Sequence, residues 1–252
     1  MMTIGFGAKL GEGKTKIVYA HPSDPALCYL FHKDGITAGD GARRNVIPGK
    51  GALAGRTTAN VFRLLARKGV PTHFVDAPAP DVMLVRRCRM IPLEVVMRRI
   101  ATGSYLKRHP EVAEGTRFDP LVVEFFLKDD ARHDPQMTEE EIVREGVASA
   151  EEVERMIATG RRVFLILEDA WAQQGVQLVD LKIEYGRDAE GALLVADVID
   201  NDSWRPWPGG DKSQMLDKQI YRNMKEVTAE GLEALKAKYA QVADMTDRFV
   251  SA

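Results

Sequence analysis

Asp180, Lys182 and Glu184 alternate with Leu181, Ile183 and Tyr185. In an extended strand, residues two apart share a face. The three charges therefore point one way and the apolar side chains the other. Burying such a charged row is costly unless the charges are paired or hold an ion. The segment Gly186-Arg-Asp-Ala-Glu-Gly191 reads as a turn that folds the next strand back, bringing Asp197 near Glu184. Two carboxylates with a lysine between them suit a hard cation such as Mg²⁺. A surface strand with a solvated charged face has the same pattern.

Other segments could handle anions. Leu10-Gly-Glu-Gly-Lys14-Thr-Lys16-Ile-Val-Tyr19 is a glycine-rich turn running into a strand. Glycines let backbone N–H groups approach phosphates, and lysines add point charges. The spacing is not that of a Walker A loop, and a tight hairpin with solvated lysines reads the same way. Pro92-Leu-Glu-Val-Val-Met-Arg98-Arg-Ile-Ala-Thr-Gly-Ser104 carries arginines out of an apolar strand into Thr-Gly-Ser. That offers guanidinium forks and hydroxyls to a phosphate or carboxylate, or else a strand end with snorkelling arginines. Asp40 stands between two glycines ahead of Arg43 and Arg44, which describes an Asp–Gly turn equally well. Lys128-Asp-Asp-Ala-Arg-His133-Asp134-Pro135 is a charged loop, and His133 has no second histidine at metal spacing. There is no Gly-x-Ser-x-Gly elbow and no Cys-x-x-Cys. Lysines, arginines, glycines and a carboxylate pair suit ATP chemistry, which works by positioning and charge neutralisation.

The elements that must position these groups follow from periodicity and punctuation. Lys16–Ala20 and Ala26–Lys33 read as strands, as do parts of 70–98 and Leu121–Leu127. Gly49–Lys68 reads as a helix ended by Gly69. Ser149-Ala-Glu-Glu152 is a capping box that opens a helix to about Gln174, with Val153, Met156, Ile157, Gly160, Phe164, Leu167 and Trp171 as its buried stripe. Residues 213–226 and 229–249 read as two terminal helices. Strands early and helices late make the class α+β, with a hinge expected near 90–120.

The chain has 252 residues, a formal net charge of −2 and 29% charged residues. That balance gives no electrostatic case for nucleic acid or an anionic membrane. Cys28 and Cys88, far apart, fit free thiols in a reducing compartment. The first residues lack the basic-then-apolar order of a signal peptide, and Val163–Leu167 is far too short to span a bilayer. The expected location is cytoplasmic.

Five blocks, Gly11–Tyr19, Ile36–Asp40, Pro92–Ser104, Lys128–Pro135 and Leu178–Arg205, occur in order over about residues 8–245. Together they resemble the phosphoribosylaminoimidazole-succinocarboxamide (SAICAR) synthetases. The wording of Arg98–Ser104 and Asp197–Arg205 is most similar to the synthetase half of the animal bifunctional purine enzyme. The resemblance implies an antiparallel β-rich N-terminal nucleotide lobe (1–90) and a larger α+β C-terminal lobe (91–252) carrying the metal and substrate sites and the terminal helices, with ATP in the cleft between the lobes. It implies ligation of carboxyaminoimidazole ribotide (CAIR) to L-aspartate, with ATP as co-substrate, Mg²⁺ as cofactor, and a homo-oligomer. Carried over residue by residue, Lys14 and Lys16 lie along the ATP phosphates, Met90 in the adenine hinge, and Lys128 and Asp134 on the nucleotide side. Glu184 and Asp197 hold Mg²⁺. Arg98, Ser104 and Arg205 grip the CAIR phosphate, Asp180 and Lys182 face the reacting region, and Asp40 lines the substrate cleft. One departure stands out. Many bacterial members have Glu where this chain has Val198 and Pro where it has Asn201, which leaves Asp200 or Asp202 as the alternative acids for a second metal position.

Overall fold

The structure is a computed structural model that describes residues 4–39 and 41–251. Its elements run β1 (Lys9–Glu12), β2 (Lys16–Ala20), β3 (Leu27–His32), β4 (Gly35–Ala38), β5 (Arg43–Val46), α1 (Lys50–Arg67), β6 (Phe74–Ala79), β7 (Val82–Arg86) and β8 (Arg89–Ile100). Then follow α2 (Ser104–Arg108), β9 (Arg117–Leu127), β10 (Gln136–Met137), α3 (Glu139–Arg144), α4 (Ala150–Ala172), β11 (Val176–Arg187), β12 (Leu193–Ala196), β13 (Trp204–Pro208), α5 (Gln219–Asn223) and α6 (Ala229–Ser251). The chain forms two compact units. One comprises Met1–Met90, Tyr185–Asp202 and Leu216–Ala252; the other comprises Ile91–Glu184 and Ser203–Met215.

The first unit holds an antiparallel sheet in the order β1-β2-β3-β7-β6 and the separate β4-β5 hairpin. Its helix α1 lacks a side-chain cap of its own. Asp34 supplies one from a distance, accepting from the backbone N–H groups of Gly49 at 3.0 Å and Gly51 at 2.8 Å. Such groups at a helix start have no partner within the helix, and a carboxylate there also suits the helix dipole. The helix packs on α6. Asn60 donates to Asp247 at 2.7 Å, and Arg56 pairs with Asp244. Ile36, Ile47, Tyr221, Leu235 and Tyr239 bury together beneath these elements. The terminal helices, which the resemblance placed in a larger C-terminal lobe, group with the first unit, the larger of the two. The reason is burial: α6 carries its apolar face at Leu235, Tyr239, Val242, Ala243 and Phe249, and that face needs a partner.

The expected helix over 213–226 is also different. A single 3-10 turn at Lys212–Gln214 is followed by the five-residue α5. Aspartate side chains cut the segment. Asp211 accepts from Ser213 N–H at 2.8 Å and Asp217 from Gln219 N–H at 2.7 Å. Local side-chain caps of this kind compete with a continuous helical ladder.

The second unit is built around β8 and β9, antiparallel, with Val96 opposite Glu124 and Arg98 opposite Val122. β10 lies outside β9, and β11 carries β13 as an antiparallel partner. The capping box at Ser149 and Glu152 is present in both directions. Thr138 and Glu141 form a second box at the start of α3. Val153, Met156, Gly160, Phe164, Leu167 and Trp171 are buried, as the stripe required, and Ile157 is only half-buried. Trp171 meets Trp204 of β13 edge-on, with ring centres 5.2 Å apart.

Candidate active site

The alternation along β11 persists in three dimensions. Leu181, Ile183 and Tyr185 are fully buried on the apolar side. Lys182 donates to Oε1 of Glu184 at 2.6 Å, as side chains two apart on one face allow. Glu184 is only 3% exposed, and its other oxygen, Oε2, accepts from Lys128 at 2.5 Å. Glu94 on β8 also faces the Lys182 ammonium, at 3.4 Å. Lys128 is held at the end of β9 by its backbone N–H, which donates to Pro92 O at 2.9 Å. A buried carboxylate between two ammonium groups is compensated rather than solvated, so the solvated-face alternative does not apply to Glu184.

Asp180, further along the same face, is also buried. Its Oδ2 accepts from Arg98 Nη1 at 3.2 Å and from Arg205 Nη1. Arg98 also donates Nε to Glu124 Oε2, and Arg108 donates Nη2 to Glu124 Oε1 at 2.6 Å. Three arginines thus meet two carboxylates, leaving the cluster one positive charge in excess. Gly103 makes room for it. At φ +62° it is in the left-handed region, and a Cβ there would lie 2.8 Å from Arg205 Nη2. Only glycine fits both the backbone and the guanidinium. Ser104 follows as the exposed first residue of α2.

In the first unit, Lys14 sits exposed at the tip of the β1–β2 turn, which Gly13 N–H closes onto Lys16 O at 2.9 Å. Lys16 ion-pairs with Asp197. Asp197 has φ +61°, a left-handed conformation that costs a non-glycine residue about 1 kcal/mol. β12, just ahead of it, is anchored by His73 N–H to Val195 O at 3.0 Å and Val195 N–H to Pro71 O at 3.1 Å. Two buried histidines lie near the pair. Burial, then the charges of Lys16 and Lys50, pushes His32 down to about 3. Burial pushes His73 down to about 4, partly offset by Asp197. Met90 is exposed; Gly186 lacks the Cβ that would stand 3.1 Å from its Sδ.

Asp134 closes its own loop, Oδ1 accepting from Asp129 N–H at 2.8 Å. Asp40 lies outside the described residues. Among the described residues no group of three or more His, Cys, Asp or Glu side chains is gathered for a metal. Around the departure, Val198 is buried, and Asp202 accepts from Tyr239 O–H at 2.6 Å and from Lys218 at 2.9 Å. Burial favours protonating Asp202, but the charges of Lys50 and Lys218 and these hydrogen bonds outweigh it and hold the carboxyl well below the usual range. Asp200 moves the other way, pushed up by burial and by Asp202 beside it. Sequence reading passed over Glu124, Arg108 and Tyr239. The available signal was Glu124 itself, the one acid in the apolar run Leu121–Leu127.

The chain matches the SAICAR synthetase family over residues 9–238. It belongs to that family. The phosphoribosylaminoimidazole-succinocarboxamide synthase of Roseiflexus castenholzii is 68% identical over 98% of this chain and 100% of its own. The Drosophila melanogaster bifunctional carboxylase/synthetase is 47% identical over 94% of this chain and 58% of its own length, so the likeness to the animal enzymes is present alongside a greater one to that bacterial synthase. A crystal structure of the Ehrlichia chaffeensis synthase superposes with a TM-score of 0.86 at 30% identity, covering 95% of this chain and 98% of that one. A SAICAR synthetase solved in complex with ADP gives 0.81 at 32% identity, covering 92% and 97%. The fold is the α+β fold of this family. The chain is a ligase of purine biosynthesis that condenses CAIR with L-aspartate, using ATP as co-substrate. Among the described residues no helix is long and apolar enough to cross a membrane.

Proposed function

We propose that the two clusters of the second unit divide the work of this ligation: the arginine cluster grips CAIR, and the Glu184 cluster handles the charge of phosphoryl transfer. The observation that carries this reading is the convergence of Arg98 and Arg205 on one buried carboxylate, Asp180, with positive charge in excess. A phosphate monoester is the complementary ligand, because guanidinium forks match its oxygens in pairs. Arg98, Ser104 and Arg205 bind it, and Asp180 orients both arginines. Lys14 and Lys16 bind ATP phosphates, Met90 contacts adenine, and Lys128 and Asp134 are assigned to the nucleotide. Asp40 is assigned to the substrate side.

A carboxylate is a poor electrophile. Transfer of the γ-phosphoryl group to the CAIR carboxylate gives an acyl phosphate, and the aspartate amine then displaces phosphate. Lys128 and Lys182 neutralise charge around the transferring group. The hard carboxylate oxygens of Glu184 and Asp197 suit Mg²⁺, which when bound screens the phosphate charge and polarises a phosphoryl oxygen. The lysines now on Glu184 and Asp197 have flexible stems, and Lys128 is close to half exposed. They can therefore yield these oxygens. We further assign the chain to the cytoplasm as a homo-oligomer, acting on small molecules and not on nucleic acid or membrane. ADP release measured with each substrate omitted in turn tests the reaction. It requires CAIR and aspartate together; ADP formed equally without aspartate would make the chain a kinase.

A further inference from the structure

We propose that Glu124 is a positioning residue for CAIR binding: it fixes the guanidinium planes of Arg98 and Arg108 from a single buried carboxylate, so that both arginines act on the sugar phosphate. This deepens the reading above and rests on the assignment of Arg98 to that phosphate. The register is the starting point. Glu124 lies opposite Val96, so Arg98, two residues further along β8, is its diagonal neighbour on the same face. Each carboxylate oxygen takes a different arginine, Oε2 from Arg98 and Oε1 from Arg108. Gln136 approaches Oε1 as well, at 3.4 Å.

Two cations held this close repel unless an anion lies between them, and Glu124, buried at 5% exposure, is that anion. Its grip is also directional. Arg98 spends Nε on Glu124 and Nη1 on Asp180. A planar guanidinium held at two of its three nitrogens has no remaining rotation, and neither bond uses Nη2. Aromatic rings close the sides: Arg98 lies 5.8 Å from the centre of Tyr105, and Arg108 lies 5.0 Å from that of Phe126. Arg108 reaches Ser104 O as well, at 3.2 Å, which ties the second arginine to the turn that carries the Ser104 hydroxyl. Glu124 touches no reacting atom in this scheme. It acts through the arginines.

Glu124→Gln keeps the shape and removes the charge. Its amide keeps an accepting oxygen toward one arginine and turns an NH₂ donor toward the other. The inference predicts a KM for CAIR raised roughly 10- to 100-fold. The KM values for ATP and aspartate stay within about twofold and kcat is largely kept, the pattern of lost uniform binding. Glu124→Asp, which restores the charge on a shorter arm, recovers part of the loss. Titration calorimetry with CAIR in the absence of ATP gives the same order. Arg98→Ala runs alongside. If Arg98→Ala binds CAIR as well as the wild type does, the phosphate assignment falls and this inference with it. If Arg98→Ala weakens CAIR binding but Glu124→Gln does not, or raises all three KM values together, Glu124 is structural only and the phosphate assignment stands. Should Glu124→Gln fail to fold, Arg108→Ala carries the test, because an arginine aligned on the phosphate shows the same selective rise for CAIR and an idle one shows none.

Discussion

Lys128 and Lys182 hold the two oxygens of Glu184 from opposite ends, at 2.5 Å and 2.6 Å. The carboxylate is buried, so the two ammonium groups compensate it in place of solvent. Glu184→Gln removes the anion from a place built for one. Turnover should fall roughly 100-fold or more, the scale of losing a preorganised electrostatic group, while circular dichroism stays close to wild type. Chelating divalent ions should stop the wild-type reaction, and Mg²⁺ should restore it. Full activity after exhaustive chelation would remove Mg²⁺ from the scheme.

Arg98 and Lys14 belong to different anion sites in the proposed function, and their variants should separate. Arg98→Ala is expected to raise the KM for CAIR more than that for ATP. Lys14→Ala, at the exposed tip of the β1–β2 turn, should do the opposite. Steady-state kinetics with each substrate varied decides it, and the reverse order would exchange the two sites.

Asp197 combines a carboxylate with a left-handed backbone, φ +61°. Asp197→Gly and Asp197→Ala both remove the side chain, but only glycine tolerates that backbone freely. The glycine variant should be more stable than the alanine variant by about 1 kcal/mol in denaturant unfolding, and both should have lost most turnover. Equal stabilities would mean that the strain is not carried at this position.

The buried histidines set a pH dependence of stability. His32, down to about 3, and His73, down to about 4, stay neutral in the folded chain. In the unfolded chain a histidine takes up its proton near pH 6.5. Between those values the unfolded state binds more protons, so stability is full above about pH 6.5 and is lost as the pH falls. The expected slope is about 1.4 kcal/mol per histidine per pH unit. Unfolding free energies at pH 7, 6 and 5 measure it, and His73→Phe should reduce the slope by about half. A flat profile would contradict the assignment.

Tyr239 on α6 donates to Asp202 at 2.6 Å, a hydrogen bond to a carboxylate held ionised by Lys50 and Lys218. Tyr239→Phe should cost about 2 kcal/mol of unfolding free energy, the range for a hydrogen bond to a charged group. A change below a few tenths would show that Lys218 alone satisfies Asp202.

Whatever was periodic or local could be read directly. The two-residue alternation of Asp180–Tyr185 named both faces of β11, because a strand has no other way to point its side chains. Ser149 and Glu152 announced the start of α4, because a capping box is complete within four residues. The five motif blocks named the family. Partners far apart in the chain were another matter. Glu124 and Arg98 are 26 positions apart and Asp180 and Arg98 are 82 apart, so only the pairing of β8 with β9 and the packing around them made one cluster of three arginines and two carboxylates. The same holds for α6, which was legible as a helix but whose partner α1 was not. Sequence spacing says which side of an element is apolar or charged; which other element covers that side is decided when burial and charge compensation are satisfied together across the whole chain.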